Sequence, residues 1–296
     1  MPELPEVETI ARGVHERVRG DRIVDAWFSS LTEPFKTPAA RQSKGLIGRV
    51  FLAVHRTGKH IVCELGRPNE AAARSSTHQP GAHQIDGHPI DGQWIVHLGM
   101  TGRLLVTTQD APVAPHTHAR LSLKSGRELR FVDPRRFGRL EFRDIRGGKS
   151  FQAPFQAPGA DPLAIAAEEF AALFRGRKLA IKAALLNQTL LAGVGNIYAD
   201  ESLFHAGICP RRAAGRLTRP ELERLRQALR QVLDHAIRLG GSSVSDYVDA
   251  NGLRGFFQLE HCVYLRTGEP CRCCRTPIRR ILLAGRGTHF CPNCQH

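Results

Sequence analysis

Four cysteines near the carboxyl end of the chain restrict its fold more than any other feature. They form two Cys-x-x-Cys pairs, Cys271 with Cys274 and Cys291 with Cys294, separated by residues 275–290. This spacing is typical of a tetrahedral site of four thiolates that binds zinc. Four protein ligands leave no open position for catalysis, so we expect one structural Zn²⁺. A rubredoxin-like iron site is the alternative that the same ligands allow.

The residues between the two cysteine pairs have the pattern of a β-hairpin. Residues 278–283 and 287–290 are rich in apolar and β-prone side chains, and Arg286 lies at the tip between them. Cys273 lies within the first pair and complicates the ligand assignment, but the Cys-x-x-Cys spacing selects Cys271 and Cys274. We assign 256–296 to a four-cysteine zinc finger.

The charge of the chain points to a polyanionic partner. There are 42 Lys and Arg against 28 Asp and Glu in 296 residues, which gives a formal charge of +14. Nucleic acid is the expected partner. No apolar run approaches the roughly 20 residues that a membrane span needs, so no membrane contact is expected. The acidic start differs from a signal peptide, and a cytoplasmic location is therefore expected.

The first half of the chain predicts mostly strands. Short β-prone runs recur from residue 23 to residue 140, which favours an antiparallel β-sandwich or barrel. Residues 66–92 interrupt the pattern with Gly, Pro, Ser and His, and we interpret them as an inserted, mobile surface loop, whose histidines (His78, His83, His88) are polar filler rather than metal ligands. A Gly- and Pro-containing stretch ends this domain, which we place at 1–156.

The second half changes to helical periodicity. Apolar positions from Leu222 to Ala236 stripe one helix, which Thr218 caps and a Gly-Gly pair ends. Upstream, Gly193 and Gly195 precede Asn196, a pattern that predicts a helix–turn–helix with free N–H groups for a phosphate. We assign 157–255 to this helical domain, whose end at 242–255 is polar and contains glycine.

The amino terminus carries a candidate nucleophile. If Met1 is removed, Pro2 becomes a terminal secondary amine, which attacks aldehyde-like carbon to form an iminium. Glu3 is an adjacent acid or base. The helical spacing of the apolar residues from Val7 to Val14 predicts a helix that holds this terminus in place. The alternative is that Pro2 and Glu3 only begin a helix.

Four further residues fit contacts with DNA. Met100 lies between two glycines at a predicted loop tip, where an apolar side chain can wedge between base pairs. Arg135 and Phe137 lie on a turn, where a guanidinium can hydrogen-bond an unpaired base and a ring can fill a gap in the stack. Lys59 follows a turn between two strands. Core packing of the methionine and solvated basic turns are the alternatives.

Four separate motifs resemble those of bacterial formamidopyrimidine-DNA glycosylases. They are the opening Met-Pro-Glu-Leu-Pro-Glu-Val-Glu-Thr, Asp-Pro-Arg-Arg-Phe-Gly at 133–138, Gly-Val-Gly-Asn-Ile-Tyr-Ala-Asp-Glu at 193–201, and the cysteine pairs. The resemblance covers nearly the whole chain except 66–92. It implies an α+β multidomain fold, with an amino-terminal β-sandwich and helix, a helix–two-turns–helix domain and a zinc β-hairpin.

The resemblance also implies the role of each site residue. The catalytic set is Pro2, Glu3, Lys59 and Arg286, with Glu6 in support. The DNA-binding set is His118, Arg135, Lys182 and Asn196, and the intercalating set is Met100, Arg135 and Phe137. In the family the first arginine of the Asp-Pro-Arg-Arg-Phe-Gly turn faces the orphan cytosine, and the loop at 242–255 closes over the flipped base.

The implied activity is removal of oxidised purines from damaged double-stranded DNA, followed by β,δ-elimination at the abasic site. We expect a monomeric bacterial enzyme that is nucleoid-associated when bound to DNA and needs no organic cofactor. An endonuclease VIII-type glycosylase for oxidised pyrimidines shares the machinery and remains the nearest alternative. A non-catalytic, zinc-dependent DNA-binding protein and an RNA-binding zinc protein are alternatives of another class.

Overall fold

The computed structural model describes residues 1–68, 84–85, 88–146, 151–244 and 247–296. These divide into two compact units. The first contains Met1–Pro2, Glu6–Gln156 and Ser245–Arg254, and the second contains Glu3–Pro5, Ala157–Val244 and Gly255–His296. No helix in the described part of the chain is long and apolar enough to cross a membrane.

The first unit is built on two four-stranded antiparallel sheets. Its elements in chain order are α1 (Leu4–Val18, whose first residues belong to the second unit), β1 (Ile23–Phe28), α2 (Ala39–Leu46), β2 (Val50–Thr57), β3 (His60–Gly66), β4 (Gln84–Ile85), β5 (His88–Pro89), β6 (Gly92–His97), β7 (Arg103–Thr108), β8 (Thr117–Leu123), β9 (Arg127–Val132) and β10 (Arg139–Asp144). One sheet has the order β1-β8-β9-β7 and the other β10-β6-β3-β2. The predicted antiparallel sandwich with an amino-terminal helix is confirmed.

Side chains from both sheets form one core, to which α1 adds its apolar face. Val7, Ile10 and Val14 of α1 are 0% exposed, as the helical spacing predicts. They share a hydrophobic cluster with Phe51 and Trp94 of one sheet and with several residues of the other. This packing holds α1 against the sandwich, so the chain that leads into α1 is anchored.

Two expectations concern segments that the structure describes only in part. Of the predicted insertion at 66–92, residues 69–83 and 86–87 lie outside the described chain, including His78 and His83. The short strands β4 and β5 pair with each other next to this gap. Residues 245–246 of the predicted loop at 242–255 also lie outside it. Residues 242–244 cluster with the helical unit, as does Gly255, whereas residues 247–254 cluster with the sandwich.

The contact between residues 247–254 and the sandwich has a clear physical basis. Tyr247 and Ala250 are buried in the sandwich core. The Val106 N–H donates to the Ala250 carbonyl at 3.1 Å. Burial, with the nearby Glu6 charge, raises the pKa of Tyr247, whose hydroxyl therefore stays protonated. The Tyr247 hydroxyl donates to the Glu6 carbonyl at 3.5 Å, so the tyrosine ties this segment to α1, and the Ala250 carbonyl ties it to β7.

The second unit is helical, with a small zinc hairpin. Its elements are α3 (Ala167–Phe174), α4 (Ile181–Leu185), α5 (Asn196–His205), α6 (Arg219–Arg238), β11 (Arg279–Leu283) and β12 (Arg286–Phe290). Thr218 and Glu221 form a reciprocal capping box at the start of α6. Leu4 is buried in the core of this unit. The predicted helical domain with a carboxyl-terminal β-hairpin is confirmed.

Candidate functional site

The Glu3 carboxylate lies at the amino-terminal end of α5. One of its oxygens accepts a hydrogen bond from the Ile197 N–H at 3.2 Å, and the other accepts a longer one from the Tyr198 N–H at 3.5 Å. The first N–H groups of a helix have no partner within the helix, and the helix dipole favours negative charge there. The residue is 5% exposed. A carboxylate next to Pro2 in sequence is therefore held in a defined position.

The glycine turn before α5 holds the backbone of the same segment. The Leu4 N–H donates to the Gly193 carbonyl at 3.0 Å. Gly193 has φ of +99°, and a Cβ at this position would lie 2.9 Å from the Leu4 side chain. Only glycine fits this conformation and this close approach without strain. The two glycines that precede Asn196 thus form a seat for residues 3–4.

Replacement of Gly195 by alanine is expected to displace Glu3. A Cβ on Gly195 would overlap with the Glu3 carboxylate, although its extended backbone suits alanine. A displacement of about 1 Å in a reacting group lowers rates by roughly 100-fold, and we expect that loss in base removal. Single-turnover excision on an 8-oxoguanine duplex measures it. Wild-type rates in a folded, zinc-containing Gly195→Ala variant would contradict the proposed role of this seat.

In the first unit, Asp133 joins two loops that carry candidate DNA contacts. This carboxylate is 0% exposed. It accepts hydrogen bonds from the Thr101 hydroxyl at 2.6 Å and from the Gly138 N–H at 2.8 Å. The Arg135 N–H donates in turn to the Thr101 hydroxyl at 3.3 Å. Thus the β6–β7 loop and the β9–β10 loop are held together by a buried anion.

Three side chains project from these joined loops. Met100 is 42% exposed and Phe137 is 49% exposed, so both apolar side chains are accessible. The Arg135 guanidinium lies 4.8 Å from the centroid of the Phe137 ring, within range of a cation–π contact. The structure therefore brings together the three residues that the sequence assigns to intercalation and to the orphan base.

The structure places His118 below this surface. It is 4% exposed, and its Nε2 lies 3.0 Å from the Asp133 carbonyl oxygen. Its Nδ1 lies 3.4 Å from the Ser29 hydroxyl. Because the ring is enclosed, it supports the loop that begins at Asp133, and its role in DNA binding stays a prediction.

Lys59 occupies the two-residue turn between β2 and β3. Thr57 pairs with His60 across this turn, and Gly58 adopts φ of +62°. The ring centroids of His60 and His97 lie 4.8 Å apart beside it. Burial lowers the pKa of each imidazole to about 4. Both rings are therefore neutral near pH 7, and neither adds positive charge near Lys59.

Lys182 is buried in the second unit under the zinc hairpin. Its ammonium forms a 2.7 Å ion pair with Asp200, and the two side chains are 1% and 0% exposed. It also donates to the Gly287 carbonyl at 2.9 Å and to the Thr288 hydroxyl at 2.8 Å. Burial lowers the pKa of Lys182, and the Asp200 charge acts in the opposite direction. The side chain supports the hairpin in this structure, and its contact with a phosphate stays a prediction.

Asn196 contacts the same part of the zinc hairpin as Lys182, and Arg286 lies next to that part in sequence. The Asn196 side-chain amide donates to the Gly287 carbonyl at 3.0 Å, and its own oxygen is buried without a hydrogen-bond partner among the described residues. Arg286 begins β12 directly after Ala284 and Gly285, which both have positive φ as a tight hairpin turn requires. The Arg286 side chain is exposed. The network thus fixes the backbone next to an accessible guanidinium.

Replacement of Lys182 by methionine is expected to destabilise the protein by about 3–5 kcal/mol, because it leaves the Asp200 carboxylate buried without its cation. Urea unfolding measures the loss. The double variant Lys182→Met/Asp200→Asn should regain part of it, since asparagine keeps an oxygen for the His289 N–H, which Asp200 accepts at 2.9 Å. Additive losses in the double variant would show that the two residues do not interact.

The four cysteine thiols converge as the spacing predicts. All four sulfur atoms lie within 4.8 Å of one another. The Cys271 and Cys294 sulfurs are 3.9 Å apart, and those of Cys274 and Cys291 are 3.4 Å apart. Tetrahedral Zn–S bonds of about 2.3 Å imply sulfur separations of about 3.8 Å. The donor set fits one structural zinc ion, which would hold the hairpin closed.

Sequence reasoning did not find the residues that position these groups. Asp133 and Asp200 lie inside recognised motifs without a predicted role of their own, and Thr101 lies outside the predicted site. The only hint in the sequence is the position of each aspartate: Asp133 begins a basic motif, and Asp200 lies in a glycine-containing one. Their partners are 32 and 18 residues away, at Thr101 and Lys182, and only the fold shows which side chains meet.

Comparisons with known proteins cover the whole chain. Three family models match: the formamidopyrimidine-DNA glycosylase N-terminal domain at residues 1–140, its H2TH domain at 158–248, and the zinc finger found in FPG and IleRS at 268–296. A formamidopyrimidine-DNA glycosylase of Solibacter usitatus (strain Ellin6076) is 43% identical over 295 residues, covering 100% of this chain and 99% of its own. One from Desulfitobacterium hafniense (strain DSM 10664 / DCB-2) is 42% identical over the full length of both.

Solved structures agree. A mutant of Lactococcus lactis FPG in complex with a Fapy-dG containing DNA aligns with a TM-score of 0.81 and 32% identity, over 100% of both chains. The MutM (FPG) protein from Thermus thermophilus aligns with a TM-score of 0.78 and 39% identity, over 99% of this chain and 98% of its own. The chain therefore belongs to the formamidopyrimidine-DNA glycosylase family.

Proposed function

We propose that this protein is a base excision repair enzyme that removes oxidised purines, 8-oxoguanine and formamidopyrimidines, from duplex DNA and then cleaves the abasic strand. The observation that carries the proposal is the Pro2-Glu3 terminus, whose carboxylate is seated on the N–H groups of α5. A non-catalytic DNA-binding protein has no need of a buried carboxylate beside a terminal proline.

The proposed reaction begins when the damaged nucleotide leaves the stack. The lone pair of the free Pro2 nitrogen attacks C1′ of the deoxyribose, and the bond between C1′ and the base breaks. The base leaves with a proton, and Glu3 exchanges protons at the sugar. Opening of the ring gives an iminium, which makes the C2′ proton acidic. Loss of that proton expels the 3′ phosphate, a second elimination expels the 5′ phosphate, and water releases the sugar fragment from Pro2.

The remaining residues have proposed roles in holding the DNA. Lys59 and Arg286 bind the backbone phosphates at the lesion, and Glu6 supports the terminus. Met100 and Phe137 fill the space left by the flipped base, and Arg135 hydrogen-bonds the unpaired cytosine. Lys182 and His118 support the DNA-binding surface from buried positions, and Asn196 supports it next to Gly287. We propose that one copy of the chain carries all these roles and works as a monomer in the bacterial cytoplasm, on the nucleoid.

An oxidised pyrimidine remains a second candidate substrate. A complex of wild-type Lactococcus lactis FPG (MutM) with an oxidized pyrimidine containing DNA aligns with this chain at a TM-score of 0.79 and 31% identity. The substrate test therefore needs both lesions. We expect faster excision of 8-oxoguanine than of thymine glycol from otherwise identical duplexes, and the opposite order would favour an endonuclease VIII-type enzyme.

Borohydride trapping tests the covalent step. With an 8-oxoguanine duplex we expect a reduced protein–DNA adduct whose peptide map places the sugar on Pro2, and mass spectrometry should show that the active protein lacks Met1. Pro2→Gly replaces the secondary amine with a primary amine and removes the proline ring, and we expect much weaker trapping. An adduct on another residue, or full activity with Met1 attached, would overturn the proposed nucleophile.

A further inference from the structure

Three metal-ligating side chains outside the proposed machinery meet on the helical unit. They are Glu201 and His205, one helical turn apart on α5, and Cys262 in the segment before the zinc hairpin. One ligand atom from each lies within 4.8 Å of the other two. None of the three belongs to the four-cysteine cluster or to the residues assigned to catalysis and DNA binding.

The spacing of the two softer ligands fits coordination of one ion. The Cys262 sulfur lies 3.9 Å from the His205 Nε2. A tetrahedral ion with bonds of about 2.3 Å to sulfur and about 2.0 Å to nitrogen places these atoms about 3.6 Å apart. A movement of a few tenths of an ångström would bring the sulfur and nitrogen atoms to this distance. Both side chains are accessible enough to move by this amount.

Glu201 provides the third ligand, a carboxyl group held in a fixed position beside His205 and Cys262. Its carboxylate accepts three backbone hydrogen bonds, from the N–H groups of Val263 and Tyr264 on one oxygen and of Cys262 on the other. A carboxylate has about four acceptor sites, so one remains on the oxygen nearer Cys262. The residue is 1% exposed, and no ion pair seen in the described chain involves it. Burial raises the pKa of this carboxyl group, the three N–H donors oppose that shift, and a bound cation would stabilise the ionised form.

A cleft gives an ion access to this cluster. It has a volume of about 350 Å³, and His205 and Cys262 line it together with His235 and Glu260. Arg238 and Arg272 also line it and oppose a cation, although the Arg272 guanidinium donates to the Leu259 carbonyl at 2.8 Å. The positive charge of the arginines lowers the expected affinity for a cation. The thiol favours an ion that forms a strong bond to sulfur.

We propose that Cys262, His205 and Glu201 form a second metal site, separate from the four-cysteine zinc, for a thiophilic divalent cation such as Zn²⁺ or Cd²⁺. On binding, the Cys262 thiol loses its proton to solvent as the metal–sulfur bond forms, and the lone pair of neutral His205 and one Glu201 oxygen complete three positions. Water occupies the fourth, so the ion exchanges more readily than one held by four thiolates. The bound ion ties the chain before the hairpin to α5.

The test adds one equivalent of ¹¹³Cd²⁺ to the zinc-loaded, full-length protein and records the ¹¹³Cd spectrum. The four-cysteine site already holds zinc, so we expect one resonance in the range of mixed sulfur, nitrogen and oxygen coordination. Cys262→Ser and His205→Ala should each weaken binding by more than about tenfold and remove that resonance. The zinc content of each variant reports whether the hairpin has stayed folded.

Two variants are matched controls. Cys273→Ser removes an exposed cysteine that is not in the cluster, and His235→Ala removes a histidine that lines the same cleft. Both should keep the resonance. The proposal fails if the wild-type protein binds no cadmium beyond its zinc, if the resonance falls in the range of four-thiolate coordination because cadmium has replaced zinc, or if Cys262→Ser keeps the same resonance.

Discussion

Replacement of Glu3 by glutamine is expected to lower the rate of 8-oxoguanine removal by about 10²–10⁴-fold, the usual contribution of a positioned acid or base. Glutamine keeps an oxygen that can accept from the Ile197 N–H, so the chain should stay seated on α5. Its amide nitrogen would replace the oxygen that accepts from the Tyr198 N–H, and two donors would then face each other. The variant therefore loses proton transfer and one weak contact but not the fold.

A second substrate distinguishes the loss of proton transfer from a loss of DNA binding. A duplex with a preformed abasic site needs no base removal, and the Pro2 amine is unchanged, so borohydride trapping on that duplex should stay within a few-fold of wild type. Glu8→Gln is the matched control, because Glu8 lies on α1 and pairs with Arg12 at 2.7 Å and with Arg56 at 2.9 Å. Equal excision by Glu3→Gln and Glu8→Gln would remove Glu3 from the mechanism.

Loss of the structural zinc is expected to unfold the hairpin and abolish tight DNA binding. The hydrophobic cluster beneath it contains only five buried residues in the described chain, and two of them, Cys271 and Cys291, are ligands. Structural zinc contributes about 10–16 kcal/mol of apparent binding free energy, which is far more than so small a cluster replaces. The helical core has its own large set of buried side chains and should survive. Arg286 would then lose its fixed backbone.

Chelation and the Cys291→Ser variant test this expectation in two independent ways. Fluorescence anisotropy with a duplex that contains a stable abasic analogue should show at least about a 100-fold weaker affinity, while far-UV circular dichroism keeps its helical signal. Cys273→Ser should retain zinc and affinity, because this exposed residue lies outside the four-sulfur cluster. Wild-type affinity of the zinc-free protein would show that the hairpin does not take part in DNA binding.

Short-range patterns predicted the elements well because their causes lie within a few residues. The apolar spacing of α1 depends on the period of the helix, and the strand from Gln93 to His97 depends on local β-propensity. The cysteine pairs depend on coordination geometry over 24 residues, Cys271 to Cys294. Motifs with chemically distinctive residues, such as Pro2-Glu3 and the turn at 133–138, were recognised for the same reason.

Burial was the property that local patterns did not predict. His118 and Lys182 are both predicted to bind DNA from motif matches that carry no information on burial, and the structure encloses both against the backbone of other functional segments. Each depends on a partner distant in sequence: the Asp133 carbonyl for the histidine and Asp200 for the lysine. A polar side chain is buried only where the fold supplies hydrogen bonds or an opposite charge, and no short window contains that information.

The sequence by itself determined the chemistry available to this protein: a proline amine beside a carboxyl group, two sets of paired thiols, and an excess of positive charge. Only the tertiary structure decided which groups are seated and which are exposed. Glu3 meets N–H groups from residues 197 and 198, and Asp133 joins loops more than thirty residues apart. Such placements depend on packing between distant segments, because an orphan helix N–H or a buried carboxylate is satisfied only by what the fold brings to it.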